Sequence, residues 1–192
     1  DDPYLHSIRI KQMALKGDLE RALHYFEQRL TEKRIVYDKA IFNTVIDVLG
    51  HAGRFRQAEQ VYEEMRRRAV QPDDFTFSSL LLALTKNEDE ELGRETATIA
   101  LRLYETAVGF GCGSVAVFNN MLAAMSKVAT LPQLKKLFPP DMSDPRPDKY
   151  TYSIVLRQLK REPFTEWLPY YNQLIKNSVP IDGPLMTALL LC

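Results

Sequence analysis

Ala40-Ile41-Phe42-Asn43-Thr44-Val45-Ile46 decides the fold, because the chain repeats it. It returns as Phe75-Thr76-Phe77-Ser78-Ser79-Leu80-Leu81, as Tyr150-Thr151-Tyr152-Ser153-Ile154-Val155-Leu156 and, with more drift, as Val115-Ala116-Val117-Phe118-Asn119-Asn120-Met121-Leu122. Pro3-Tyr4-Leu5-His6-Ser7-Ile8 and Leu185-Met186-Thr187-Ala188-Leu189-Leu190 are weaker copies. The aligned polar residues, Ser7, Asn43, Ser78, Asn119, Ser153 and Thr187, lie 36, 35, 41, 34 and 34 residues apart. Self-similarity at such a period marks an array of small structural units.

Each unit reads as two helices. Phe42, Val45, Ile46 and Leu49 fall at i, i+3, i+4 and i+7, one apolar stripe of a first helix. His51-Ala52-Gly53-Arg54 interrupts it, with Gly53 suited to the left-handed residue after a helix end. Phe55, Ala58, Val61, Tyr62 and Met65 restart the period, and Pro72 stops the second helix before Asp73, a candidate cap for the next unit. The segmentation is 3–38, 39–73, 74–114, 115–148, 149–182 and a partial unit 183–192. No such pair can bury its apolar faces alone, so neighbours must stack. The expected fold is all-α, one right-handed superhelical solenoid of antiparallel helix pairs spanning 1–192. The extra residues of the third unit centre on Asn87-Glu88-Asp89-Glu90-Glu91, read as a longer solvated turn or helix extension, and Pro132, Pro139 and Pro140 shorten the second helix of the fourth.

Two families of helix-pair repeat have about this length. Tetratricopeptide units need a small residue three positions after the aligned polar one, where this chain has Ile10, Ile46, Leu81, Leu122, Leu156 and Leu190. By contrast Phe42-Asn43-Thr44-Val45-Ile46-Asp47, Ala52-Gly53-Arg54-Phe55, Ala58, Val61-Tyr62-Glu63-Glu64-Met65 and Pro72-Asp73 closely resemble the pentatricopeptide repeat of organellar RNA-binding proteins. The resemblance covers nearly the whole chain, strongest in the second unit and weakest in the fourth. It implies single-stranded RNA binding in mitochondrial or chloroplast RNA metabolism, such as splicing, stabilisation or translation. One base per repeat would be held by the first-helix polar residue and the residue that ends the repeat.

The implied pairs are Ser7 with Asp38, Asn43 with Asp73, Ser78 with Ser114, Asn119 with Asp148, and Ser153 with Asp182. A carboxylate only accepts hydrogen bonds. Uracil N3–H and guanine N1–H can donate to it, whereas adenine and cytosine present lone pairs there. The resemblance assigns Asn with Asp to U and Ser with Asp to G, hence a 5′-G-U-N-U-G-3′ preference; Ser78 with Ser114 departs from the pattern, and the insertion in that unit is a reason to expect Ser114 out of place. The four aspartates also stand where a helix N-cap is expected. Tyr4, Phe75 and Tyr150, three residues before the polar position, match the place of the family's base-wedging side chain, and aromatics there can stack on bases. His51, Lys86, Lys127 and Arg161, eight residues after it, are candidates for phosphate contacts or for neutralising helix C-termini.

The remaining features are exclusions. The histidines fall in no metal-ligand spacing, no phosphate-binding glycine loop or nucleophile motif occurs, and Cys112 and Cys192 form no CxxC, so no catalysis, metal or cofactor is expected. No segment supplies the ~20 apolar residues of a membrane span. Asp1-Asp2-Pro3 carries no targeting pattern, so any targeting segment is expected to be absent from this chain. Twenty-five basic and 25 acidic residues cancel, so any RNA-binding face must be basic locally. That zero charge keeps open a second reading, a protein-binding scaffold or subunit of an organellar ribonucleoprotein. The apolar C-terminal segment, Leu185 to Leu191, is expected either to continue into further repeats or to bury itself in a homodimer.

Overall fold

The computed structural model describes residues 3–31, 38–160 and 162–190. Every regular element among them is a helix. They alternate as pairs: α1 (Pro3–Leu15) with α2 (Leu19–Thr31), α3 (Lys39–His51) with α4 (Phe55–Arg67), α5 (Asp74–Lys86) with α6 (Glu90–Gly109), α7 (Val115–Met125) with α8 (Leu131–Leu137), α9 (Lys149–Leu159) with α10 (Phe164–Lys176), then α11 (Gly183–Leu190). The first helices α1, α3, α5, α7, α9 and α11 pack on one another in chain order, while α2, α4, α6 and α8 each bridge to the next first helix. The chain is therefore a solenoid with a continuous layer of first helices. Burial follows the layering: α3 buries seven of its thirteen residues and α4 four.

Local chemistry sets the boundaries. Asp38, Asp73 and Asp148 are the N-caps of α3, α5 and α9, and the latter two form capping boxes with Thr76 and Thr151. Gly53, at φ +69°, reverses the chain after α3, and a Cβ there would meet the Lys86 carbonyl oxygen at 2.6 Å. Gly50 lets α3 approach α5 closely, since its Cβ would lie 2.7 Å from the Ser79 carbonyl oxygen. The third-unit insertion is absorbed by the second helix: α6 runs 20 residues, opening on Asp89, which accepts from the Glu91 and Leu92 N–H groups. In the fourth unit α8 is only seven residues long, ending before Phe138, Pro139 and Pro140.

The core carries its own repeat. The residue before each polar position from the second unit to the fifth is an aromatic, Phe42, Phe77, Phe118 and Tyr152, at most 2% exposed. Each meets an aromatic from the preceding unit: Phe26, Tyr62, Tyr104 and Phe138, with centroids 5.6, 5.8, 5.4 and 5.6 Å apart. Such pairs contribute about 0.5–1.5 kcal/mol beyond area burial. They anchor each first helix at the turn that carries the polar residue.

Candidate nucleic-acid interface

Asn43 follows the buried Phe42 on α3 and is itself only 8% exposed. Its Nδ2 donates to Asp73 Oδ1 at 3.0 Å, and its Oδ1 accepts from the Thr76 hydroxyl at 2.6 Å. Thr76 N–H donates to the same Asp73 oxygen at 3.1 Å, and the Thr76 hydroxyl accepts from Asp73 N–H at 3.1 Å. A carboxylate only accepts, so the amide turns its nitrogen toward Asp73 and its oxygen toward the Thr76 hydroxyl, whose one hydrogen lies between Asn43 Oδ1 at 2.6 Å and Asp73 Oδ1 at 3.0 Å. Asn119, Asp148 and Thr151 repeat the arrangement, with Asn119 Nδ2 to Asp148 Oδ1 at 2.9 Å and the Thr151 hydroxyl to Asn119 Oδ1 at 2.7 Å. Capping and pairing are thus done by the same aspartates. Each unit leaves one Asn Nδ2 hydrogen as donor and Asp Oδ2 as acceptor, the latter shared in the second unit with Lys39.

The other pairs differ. The Ser153 hydroxyl, 9% exposed, donates back to the Lys149 carbonyl at 2.8 Å, while Asp182 Oδ1 accepts from Leu185 N–H at 3.1 Å. Ser7 is 9% exposed on α1, and Asp38 accepts from Ala40 N–H at 3.3 Å. Ser78 is half-buried on α5, and Ser114 is the N-cap of α7, without a side-chain capping bond. The insertion therefore leaves Ser114 in the capping place that Asp73 and Asp148 hold in their units.

Tyr4, Phe75 and Tyr150 stand out from the helices, 67%, 50% and 61% exposed, in contrast to the aromatics two residues further along at Phe77 and Tyr152. The basic row has a structural engagement. Lys86 Nζ donates to the His51 carbonyl at 3.3 Å and Lys127 Nζ to the Thr85 carbonyl, so each covers the C-terminal end of the preceding first helix. His51 Nδ1 lies 2.9 Å from the Asp47 carbonyl and 3.2 Å from its carboxylate. Lys11, Asp47 and His51 line a cleft of about 390 Å³. Arg161 lies outside the described residues.

Sequence reading missed the lysines. Lys39 Nζ lies 2.9 Å from Asp73 Oδ2, and Lys149 Nζ 2.8 Å from Asp182 Oδ2. Their signal was a Lys four residues before the polar position, which on a helix shares its face. Burial pushes the Asp73 carboxyl up, but hydrogen bonds from Lys39, the Thr76 N–H and Asn43 together outweigh it and hold the group below the usual carboxylate range. Lys39 is raised in turn, chiefly by its hydrogen bond to Asp73. Lys149 and Asp182 shift in the same two directions through their mutual contact. Among the described residues no cluster of His, Cys, Asp or Glu could hold a metal ion, and no helix is long and apolar enough to cross a membrane.

Residues 38–86, containing Asn43, Asp73 and Thr76, match the pentatricopeptide repeat family model. This stretch of the chain carries the pentatricopeptide repeat. It is 25% identical over 130 residues to human pentatricopeptide repeat-containing protein 1, mitochondrial, covering 67% of this chain and 18% of that protein. It is 33% identical over 92 residues to the Arabidopsis thaliana pentatricopeptide repeat-containing protein At3g20730, covering 48% and 15%. The crystal structure of pentatricopeptide repeat protein PPR10 in complex with an 18-nt psaJ RNA element superposes with a TM-score of 0.75 at 19% identity, over 98% of this chain and 27% of that one. The likeness shows the helix-pair solenoid fold. This chain spans about a fifth of the length of the curated relatives it matches.

Proposed function

We propose that these repeats bind single-stranded RNA along the row of first helices and select bases there, one per repeat, in mitochondrial or chloroplast RNA metabolism. The observation that carries this reading is the recurrence of one polar arrangement, Asn43–Asp73–Thr76 and Asn119–Asp148–Thr151, with matching distances two units apart. Capping alone would not require a buried Asn amide held against the carboxylate. Exposed aromatics at Tyr4, Phe75 and Tyr150, one turn before the polar row, offer stacking surfaces for bases. The family match and the RNA in the PPR10 structure support the same ligand class. The mitochondrial assignment in the human relative's name supports an organellar setting.

The preferred sequence is G-U-N-U-G. Fluorescence anisotropy with that RNA and with A-C-N-C-A at low salt tests it. The first should bind more tightly, each wrong base costing about 1 kcal/mol. Equal binding of both, or binding of neither, would defeat the base-reading assignment and favour the protein-scaffold reading. That reading has in its support an apolar cleft of about 350 Å³ lined by Phe164, Trp167, Tyr171 and Met186.

A further inference from the structure

We infer that Lys39 and Lys149 are specificity residues, each supplying a third contact to the base edge beside the polar residue and the aspartate of its repeat. The inference rests on the RNA reading above. It begins with the acceptor sites of Asp73. A carboxylate has roughly four. Asp73 Oδ1 already accepts from Asn43 Nδ2 and Thr76 N–H, so a base must approach Oδ2, where Lys39 Nζ sits at 2.9 Å. The ammonium gives one hydrogen to Oδ2 and keeps two others. The side chains of Lys39 and Asp73 are 47% and 33% exposed, so both remain accessible to a ligand.

The second repeat therefore presents a donor, an acceptor and a donor: Asn43 Nδ2, Asp73 Oδ2 and Lys39 Nζ. The uracil edge is the complement, O4, N3–H and O2. Guanine offers O6 and N1–H but then its N2 amino group, a donor that would face another donor. The fifth repeat differs in one element. The Ser153 hydroxyl has spent its hydrogen on the Lys149 carbonyl at 2.8 Å and can only accept. Lys149 Nζ, Asp182 and Ser153 Oγ then present donor, acceptor, acceptor, the complement of guanine O6, N1–H and N2 amino. Lys149 Nζ also lies 5.1 Å from the centre of the Tyr150 ring, which holds it beside the stacking surface. The fourth repeat is a built-in control, with the same Asn, Asp and Thr but Val115 at the lysine's place.

The test exchanges these residues. Affinities are measured by anisotropy for RNAs carrying each base opposite the second and the fourth repeat, using the wild-type chain, Lys39→Val, Lys39→Met and Val115→Lys, with circular dichroism to verify folding. The wild type should prefer U over G more strongly at the second repeat than at the fourth. Lys39→Val and Lys39→Met should lower that preference by about tenfold or more, the loss of one charge-assisted hydrogen bond, and leave the fourth repeat unchanged. Val115→Lys should raise it at the fourth repeat. If the wild type selects U but the lysine variants weaken all four bases equally, Lys39 is a general charge contact and the inference falls while the RNA reading stands. If the wild type shows no selection at either repeat, both fall.

Discussion

Asp73 is asked to do three things with two oxygens: cap α5, orient Asn43 and hold Lys39. The consequence is visible in acid. Its folded carboxyl lies below the usual range, so in the unfolded chain it binds a proton at higher pH than in the folded one. Its stabilising contribution is complete above the ordinary Asp value of about 3.9 and is lost as pH falls through the lower folded value. Urea denaturation at pH 7 and at stepwise lower pH should show Asp73→Asn less stable than wild type at neutrality, with the gap narrowing in acid. A gap independent of pH would contradict this. Of these residue-scale features, the aspartates were legible in the sequence because a capping residue is marked by the helix that follows. Thr76 and Thr151 could have been found three residues on, at capping-box spacing. The Lys39–Asp73 contact joins positions a whole repeat apart, and a lysine in a first helical turn reads in sequence as ordinary surface charge.

Element by element, the sequence's apolar periodicity located the helix pairs because each stripe ends at a backbone signal, Gly53 after α3 and Pro72 after α4. What periodicity could not tell was where the third-unit insertion would go. Asp89 caps a helix whose first turn is acidic, so the extra residues lengthen α6 rather than the turn, and α7 keeps its place. Nor could it reveal how near α3 comes to α5. Gly50 lies inside a helix, where alanine has the better intrinsic propensity by roughly 1 kcal/mol. In this chain the order should invert. Gly50→Ala would drive a Cβ to 2.7 Å from the Ser79 carbonyl, a backbone atom that cannot rotate away. A loss of about 1–3 kcal/mol is expected, read from the denaturant midpoint. A stabilised Gly50→Ala would mean that the two helices are free to separate.

Across the whole molecule, what was legible was the fold, since it follows from a motif that repeats. The distribution of charge was less so. Equal numbers of acids and bases conceal the row of lysines along the first helices, much of whose charge is spent on helix ends and on the aspartates themselves. If the chain binds RNA as proposed, the close packing of α3 on α5 at Gly50 constrains the bound strand. Neighbouring helices lie roughly 8–10 Å apart, whereas successive bases in a stacked strand rise by only about 3.4 Å. A strand read one nucleotide per helix pair cannot keep its bases on top of one another; it must be drawn out, each base parted from the next. Tyr4, Phe75 and Tyr150 can repay some of the lost stacking, but nothing repays a broken duplex. The same G-U-N-U-G placed in the stem of a stable hairpin should therefore go unbound in a gel-shift titration that retains the open strand. The solenoid's pitch would then make it a sensor of RNA secondary structure, answering to how readily its target unfolds as well as to its letters.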